Sequence, residues 1–353
     1  MTPAHAERGA LILAGGRGER FWPWSTASRP KQLLPLATGG RSLLAATFAR
    51  ATRSLPAERV VVMTARDLVE SCRRECPGAI VVGEPLGRNT APAIAAAAAF
   101  FGERDAFVVL PSDHAIDDEA AFTADLDRAF ALAARDAVLV TFGVKPGGPD
   151  TNFGYIQRGT KLADRVHRVA RFTEKPDLER ARQYVASGDY LWNTGIFVWG
   201  RHTFMQALAA GRPAIANAFA GLSFAPRATR EFEAMLAERF PDLESISVDY
   251  AVLEKAPNVI TVDASFDWDD LGSWGAWARR QPQDARGNVL WGEAVPVDCD
   301  RCVVVGDGFP AAPLGLSDMV VVATPQGTLV CRRQDTDQVR RVTEAVRARG
   351  SQG

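Results

Sequence analysis

Leu11-Ile-Leu-Ala-Gly-Gly-Arg-Gly-Glu-Arg-Phe-Trp-Pro-Trp-Ser25, followed by Arg29-Pro-Lys-Gln-Leu-Leu-Pro35, decides how the rest of the chain reads. The apolar run over 10–14, closing on Ala14, predicts a buried strand that stops on Gly15, Gly16 and Gly18. Glycines at a strand end let backbone N–H groups turn inward and approach a bound group that a Cβ would keep away. Phosphate is the usual guest of such a loop, and Arg17, Arg20 and Lys31 stand close in sequence to supply charge. Pro23, Pro30 and Pro35 stiffen the basic segment that returns from it. The expectation is a strand that delivers a phosphate-binding loop armed with cations; a Gly-rich turn with solvated arginines is the plainer alternative.

Two better-known glycine loops are excluded. A Walker loop needs Gly-x4-Gly-Lys-Ser/Thr, and the chain has no Gly-Lys pair. A dinucleotide fingerprint needs a third glycine where Phe21 stands, and no acid at a strand end about 20 residues on repairs that. Gly15-Gly-Arg-Gly-Glu-Arg-Phe-Trp-Pro with Arg29-Pro-Lys-Gln instead resembles the N-terminal motif of the sugar-nucleotide pyrophosphorylases. The Phe-Trp-Pro and Pro-Lys-Gln details are similar to the mannose-1-phosphate guanylyltransferases in particular.

A chain of 353 residues is long for one domain and comfortable for one large and one small. A net charge of −1 argues against a nucleic-acid binder, so the cations near Gly15 are a local feature. Residues 1–9 lack the apolar core of a signal peptide, and the longest apolar stretch, 91–101, contains a proline and is too short to span a bilayer. The expectation is a cytoplasmic protein without membrane or nucleic-acid partners. Five cysteines disfavour a full disulfide framework, and the four histidines supply no pair to complete a zinc site with Cys299 and Cys302.

Val-rich runs at 59–65, 79–84, 106–113 and 138–144 alternate with helical patterns at 42–54, 66–75, 90–101 and 119–134. That alternation predicts an α/β fold, Rossmann-like, with a mostly parallel sheet and helices on both faces. Ligands then collect beyond the carboxyl ends of the strands, where Gly15 and Asp113 fall. Further strands are expected at 154–158, 167–173, 196–199 and 259–263, with Glu174-Lys-Pro and Trp192-Asn-Thr-Gly in loops. Helical segments are expected at 201–210, 229–239 and 250–256. The polar, turn-rich stretch from Gln281 suggests a boundary, giving a catalytic domain at 1–280 and a small β unit with a closing helix at 281–353. The resemblance implies a nucleotidyltransferase fold and, for the second piece, a short left-handed β-helix. No cupin-like extension follows, so no fused phosphomannose isomerase is expected.

Pro111-Ser-Asp-His ends a strand in a carboxylate. Asp113 could cap the next helix, but Asp117 and Asp118 are better placed for that, which leaves Asp113 free to be a ligand. Asp267, Asp269 and Asp270 crowd between apolar residues and would repel unless some meet a cation. A hard ion such as Mg²⁺ takes one or two protein carboxylates plus phosphate oxygens. In Leu86-Gly-Arg-Asn-Thr-Ala-Pro-Ala, Asn89 or Thr90 caps the following helix and Pro92 sits in its first turn. Glu174 and Lys175 are adjacent at a strand end, where alternation would point them to opposite faces unless Pro176 relaxes the backbone. Asn193 offers an amide for hydroxyl recognition.

The resemblance spans about Leu11 to Trp274 in five ordered blocks. It implies Arg20, Lys31, Asp113 and Asp270 as catalytic residues, with Asp113 and Asp270 holding Mg²⁺. It implies a nucleotide site of Ala14, Gly15, Gly16, Gly18, Glu84, Arg88, Asn89, Thr90 and Ser112, in which Gly87-Arg-Asn-Thr meets guanine and ribose. A sugar-phosphate site of Gly154, Tyr155, Glu174, Lys175, Asn193 and Gly195 follows, with Lys175 on the phosphate and Glu174 on sugar hydroxyls. The chain departs from the family at Asp150-Thr-Asn-Phe-Gly-Tyr-Ile, where Glu-Thr-Gly-Tyr-Gly-Tyr-Ile is usual, leaving Gly-Tyr-Ile intact. The implied reaction joins GTP and mannose 1-phosphate into GDP-mannose and pyrophosphate. A guanylyltransferase for another sugar 1-phosphate, such as a heptose, and a non-catalytic sugar-nucleotide sensor are the alternatives. Oligomeric state is left open between a monomer and a homodimer.

Overall fold

The computed structural model describes residues 7–16 and 18–350, so Arg17 lies outside the described residues. The chain divides into two compact units, Met1–Gly15 with Thr47–Ser112 and Ile116–Trp268, and Gly16–Ala46 with Asp113–Ala115 and Asp269–Gly353. These units do not follow a single cut at 281: the segment after the first glycine and the short piece around Asp113 group with the C-terminal residues.

In chain order the elements begin with β1 (Arg8–Ala14), α1 (Leu43–Thr52), β2 (Val60–Ala65), α2 (Val69–Glu75), β3 (Ile80–Glu84) and α3 (Thr90–Ala97). They continue with β4 (Ala106–Pro111), α4 (Glu119–Arg135), β5 (Leu139–Val144), β6 (Tyr155–Ala163), β7 (Val166–Thr173) and α5 (Leu178–Ser187). β8 (Tyr190–Gly200), α6 (Arg201–Gly211), α7 (Pro213–Phe219), α8 (Thr229–Arg239) and β9 (Val259–Asp263) complete the first unit. Its nine strands form one sheet in the order β3-β2-β1-β4-β8-β5-β9-β7-β6. β1 pairs in parallel with β2 and β4, β2 with β3, and β5 with β9, as strand–helix alternation predicts. β8 enters between β4 and β5 antiparallel to both, and β6 and β7 pair antiparallel with their neighbours, so the sheet is mixed and not mostly parallel as the strand–helix alternation suggested. β2 and β4 are valine-rich and buried on both faces, Val60, Val61, Val62, Val108 and Val109 being closed to solvent, whereas β6 and β7 are exposed along much of their length. α3 is buried almost all round, and its alanines let it lie close to its neighbours.

Several expectations change in detail. Trp192-Asn-Thr-Gly is not a loop but the middle of β8, because Asn193 pairs opposite Gly143 and Trp192 opposite Val144. Tertiary pairing overrides the turn propensity of Asn and Gly there. Gly195, at φ +70, absorbs a register shift opposite Thr141 and Gly143, which a side chain would resist. α5 and α7 were not expected, although Asp177 caps α5 by accepting from Arg180 N–H and Gly188 ends it in the left-handed region. The expected 250–256 helix is a π-turn over Asp249–Leu253. Asp118, as expected, caps α4 through the Ala121 N–H.

The second unit carries α9 (Trp274–Arg279), β10 (Val289–Ala294), β11 (Val303–Ala311), β12 (Met319–Thr324), β13 (Gly327–Arg332) and α10 (Val339–Gly350). β10, β11 and β12 stack in parallel, extended by parallel bridges Val297–Leu314 and Asp300–Ser317, and β13 closes the edge antiparallel. Such stacked parallel rungs are the pairing of a β-helix. The core of this unit recruits the segment after the glycine loop: Phe21 and Trp24 pack with Trp274, Trp277, Val303, Val305 and Val322. Trp24 stacks on Trp274 at 5.7 Å, and its indole N–H donates to Asp307 at 2.8 Å. Phe-Trp-Pro-Trp is thus a packing motif, and the basic return segment is held by the same Asp307, which accepts from Arg29 at 2.7 Å. Among the described residues no helix is long and apolar enough to cross a membrane.

Candidate active site

In the second unit Arg20, Lys31, Asp113 and Asp270 line one open cavity of about 370 Å³, with Gly18, His114 and Gly272 beside them. Gly18 is required there twice over: it adopts φ +59, and a Cβ on it would collide with that of Lys31. Gly272 makes the opposite wall, where a Cβ would sit 2.9 Å from Asp270 Oδ2 and 3.3 Å from Arg20 Nη1. The Lys31 side chain is nearly buried, and its ammonium donates to Asp113 Oδ2 at 2.9 Å and to the Asp270 carbonyl at 2.5 Å. Arg20 Nη1 reaches the Gly272 carbonyl at 3.5 Å. Gln32, fully buried, donates to the Gly16 carbonyl at 2.9 Å and so braces the loop.

The two carboxylates differ electrostatically. Burial pushes Asp113 up, but the Lys31 ammonium beside it, with His114, wins and holds it below the ordinary carboxylate range. Burial above all raises Asp270; the Lys31 charge opposes it, and the neighbouring Asp269 and Asp113 charges add to the rise, which prevails on balance. A cation beside Asp270 would relieve the like-charge repulsion it feels from Asp113 and Asp269. The cavity's hard oxygen donors and glycine walls fit Mg²⁺, which needs only one or two protein carboxylates. Among the described residues no group of three or more His, Cys, Asp or Glu is placed to hold a metal ion, so the remaining ligands would come from phosphate or water. Asp269, whose purpose the sequence left open, accepts from Leu271 N–H at 2.8 Å and pairs through its backbone with Ala115. Asp267 accepts from the N–H groups of Asp117 and Asp118. Both carboxylates therefore hold backbone in place.

The first unit gathers the other expected residues into two groups. Ala14 ends β1 with its carbonyl accepting from Thr64 Oγ1, and buried Ser112 follows β4, its N–H bonded to the Leu13 carbonyl. Glu84 ends β3 half-buried, with one carboxylate oxygen closed to solvent and unpartnered, and burial raises its carboxyl to about 7. An ideal Cβ on Gly15 would come within 3.4 Å of Glu84 Oε2, so the glycine leaves that carboxylate room. The adjoining loop is tied down at both ends by one segment: the Gly83 N–H donates to Glu233 of α8 at 2.8 Å, and the Arg88 guanidinium donates to the Phe240 and Pro241 carbonyls. Arg88 is thus committed to anchoring. Asn89, at φ 64, caps α3 by accepting from Thr90 N–H, and Thr90 Oγ1 accepts from Val248 N–H.

One residue beyond Val248, Asp249 begins the second group. Asn193 donates to Asp249 Oδ1 at 3.1 Å, and its Oδ1 accepts from Thr141 at 3.0 Å. The backbone at Lys175 turns to φ 47 after β7 ends, so Lys175 Nζ does reach Glu174 Oε1, at 2.8 Å, against strand alternation. Burial and the Glu174 charge push Asp249 up to about 7. Burial lowers Lys175, but its bond to Glu174 and the nearby acids leave it raised on balance. Gly154 lets Glu174 approach, since a Cβ there would lie 2.5 Å from Oε2. Tyr155 is wholly buried and exchanges hydrogen bonds with the Asp150 backbone, so any contact it offers a ligand is through its main chain. Asp249 and Glu233 escaped sequence reading because nothing local marks them: one lies in an unrecognised π-turn, the other on an ordinary helix surface.

The nucleotidyl transferase family model matches residues 9–286, and a MannoseP isomerase/GMP-like beta-helix domain matches 292–346. The chain is 38% identical over 344 residues to a mannose-1-phosphate guanylyltransferase of Escherichia coli, covering 95% of this chain and 73% of that protein. It is 39% identical over 350 residues to the xanthan biosynthesis protein XanB of Xanthomonas campestris pv. campestris, again covering 73% of the relative and 96% of this chain. A crystal structure named as a mannose-1-phosphate geranyltransferase from Thermus thermophilus superposes with a TM-score of 0.84 at 35% identity, over 97% of this chain and 99% of that one. With a catalytic-domain match over most of its length and relatives this similar, the chain belongs to the nucleotidyl transferase family, among the mannose-1-phosphate guanylyltransferases.

Proposed function

We propose that the chain transfers GMP from GTP to α-D-mannose 1-phosphate, forming GDP-mannose and releasing pyrophosphate. The observation that carries this is the cavity in which Arg20, Lys31, Asp113 and Asp270 converge beside Gly18. A phosphate oxygen of the sugar phosphate attacks the α-phosphorus while the bond to the β-phosphate oxygen breaks. Such transfers depend on in-line positioning and charge neutralisation more than on covalent help. The N–H groups of Gly15, Gly16 and Gly18 with Arg20 and Lys31 hold the triphosphate. Asp113 and Asp270 would hold Mg²⁺, which would supply charge neutralisation to the phosphate oxygens. Glu84 faces the guanine, where a carboxylate accepts from the N1–H and N2 amino group together; Asn89, Thr90 and the Arg88 backbone frame the base and ribose. Lys175 exchanges Glu174 for the sugar phosphate, and Glu174, Asn193 and Gly195 face the hydroxyls, backed by Gly154 and Tyr155. A catalytic domain at 1–280 followed by a β-helix-like domain at 281–353 belongs to the same reading, as does a cytoplasmic location.

The test is pyrophosphate release by purified protein with Mg²⁺, across GTP, ATP, UTP and dTTP and the 1-phosphates of mannose, glucose, fucose and heptose. GTP with mannose 1-phosphate is the pair expected to win. Preference for a pyrimidine nucleotide refutes the guanylyl assignment, and preference for heptose replaces the sugar. Binding of GDP-mannose without any turnover would identify a sensor. Light scattering on the same sample distinguishes monomer from homodimer.

The phosphate-binding lysines should separate kinetically. Lys31→Ala is expected to weaken GTP handling, and Lys175→Ala to raise the KM for mannose 1-phosphate roughly tenfold, the scale of one charge-assisted bond. Equal shifts of both KM values in both variants would contradict separate subsites.

A further inference from the structure

We infer that Arg340, on the C-terminal helix α10, is a further ligand for the β- and γ-phosphates of the nucleotide and for the pyrophosphate they become. The inference rests on the reading that the cavity around Lys31 takes the triphosphate. Arg340 lines that cavity together with Arg20, Lys31, Asp113 and Asp270, although it lies 70 residues beyond the nearest of them in sequence. Without it, Glu19, Asp113 and Asp270 set three carboxylates against Arg20 and Lys31, an unwelcoming lining for a polyanion. Lys31 is moreover already bonded to Asp113 and to the Asp270 carbonyl. Arg340 evens the balance and brings the planar donor fork that suits phosphate.

How α10 is fastened leaves Arg340 available. Arg347 holds Glu19 Oε1 at 2.6 Å, and Thr343 bonds the Glu19 carbonyl at 3.4 Å, so these two anchor the helix beside Arg20. Arg340 stands farther from the same carboxylate, Nε to Oε2 at 3.7 Å, and otherwise makes an i,i+4 pair with Glu344 at 3.2 Å. Its side chain is 67% exposed. Solvated pairs of this kind are weak, so the guanidinium can leave them for a phosphate while Arg347 keeps the helix in place.

The test compares the two arginines that share Glu19. Arg340→Ala should raise the KM for GTP, and for pyrophosphate in the reverse reaction, roughly tenfold. The KM values for mannose 1-phosphate and GDP-mannose should stay put, and Arg340→Lys should recover part of the loss. Arg347→Ala removes the tighter Glu19 pair, lies outside the cavity lining and leaves the Thr343 bond to the Glu19 carbonyl to hold α10, so all four values should stay near wild type. If the two alanine variants shift alike, Arg340 acts through helix packing and the proposal is overturned. Arg20→Ala is measured alongside. If it raises the pyrophosphate KM while Arg340→Ala does not, the proposal falls and the triphosphate reading stands; if neither moves it, both fall.

Discussion

Asp113→Asn and Asp270→Asn should each lower kcat by about a hundredfold or more at saturating Mg²⁺, the scale of losing one preorganised charge stabiliser. A hundredfold is about 2.7 kcal/mol of transition-state stabilisation. The two variants should differ in stability. Asp113 is the ion partner of nearly buried Lys31, so its amide leaves that ammonium with carbonyl acceptors but without the opposite charge that compensates its burial. Asp270 is a carboxylate raised by burial and by like charges, so neutralising it relieves repulsion. Thermal melting without nucleotide should therefore fall for Asp113→Asn and hold or rise for Asp270→Asn, while both lose turnover. Wild-type turnover in either variant would remove that residue from the mechanism.

Glu84→Gln should collapse the preference for GTP over ATP. Adenine offers an acceptor at N1 where guanine offers a donor, so a carboxylate at the base edge rejects it, and a hydrogen-bonded site discriminates by as much as ~10⁴. An amide keeps one acceptor and adds a donor, and the preference should fall about a hundredfold. ITP, lacking only the N2 amine, should lie between GTP and ATP for the wild type. The same group gives a pH signature. Burial raises the Glu84 carboxyl to about 7, and it accepts from both guanine donors together only when ionised, so the wild-type KM for GTP should improve as pH rises through 7. Glu84→Gln should flatten that profile. For stability the sign is opposite: with its folded value above the ordinary 4.5, the native state holds more protons between about 4.5 and 7, so stability falls as pH rises through that window. Asp249, also at about 7, acts in the same direction, and the difference between wild type and Glu84→Gln isolates Glu84. An unchanged nucleotide preference in Glu84→Gln would take this residue out of base recognition.

Much of this arrangement is written locally. Val-rich runs separated by capped helices make β1 through β5 and α1 through α4 recoverable to within a few residues, because burial on both faces and N-cap chemistry act over short spans. The glycine loop is legible because only glycine tolerates the left-handed backbone of Gly18 and its contact with Lys31. Asp113 was marked by its place just past β4, while Asp270, seven residues beyond β9, was marked by its cluster of acids and by the resemblance. β8 was misread around Asn193 because its conformation is set by pairing with β5, some fifty residues earlier, and not by its own propensities.

By itself, then, the sequence determined the α/β layering and the glycine loop, and offered candidates for the groups that could carry the chemistry, since strand burial, capping and glycine geometry are properties of neighbours along the chain. Only the tertiary structure decided which of these groups meet. It brought Asp113 to Lys31 and Asp270 across gaps of 82 and 157 positions, tied Arg88 to the Phe240 and Pro241 carbonyls, and put Asp249 against Asn193. It also bound Phe21 and Trp24 into the core of the C-terminal β unit. Those outcomes depend on packing and charge compensation between segments far apart in sequence, and no local pattern encodes such a pairing.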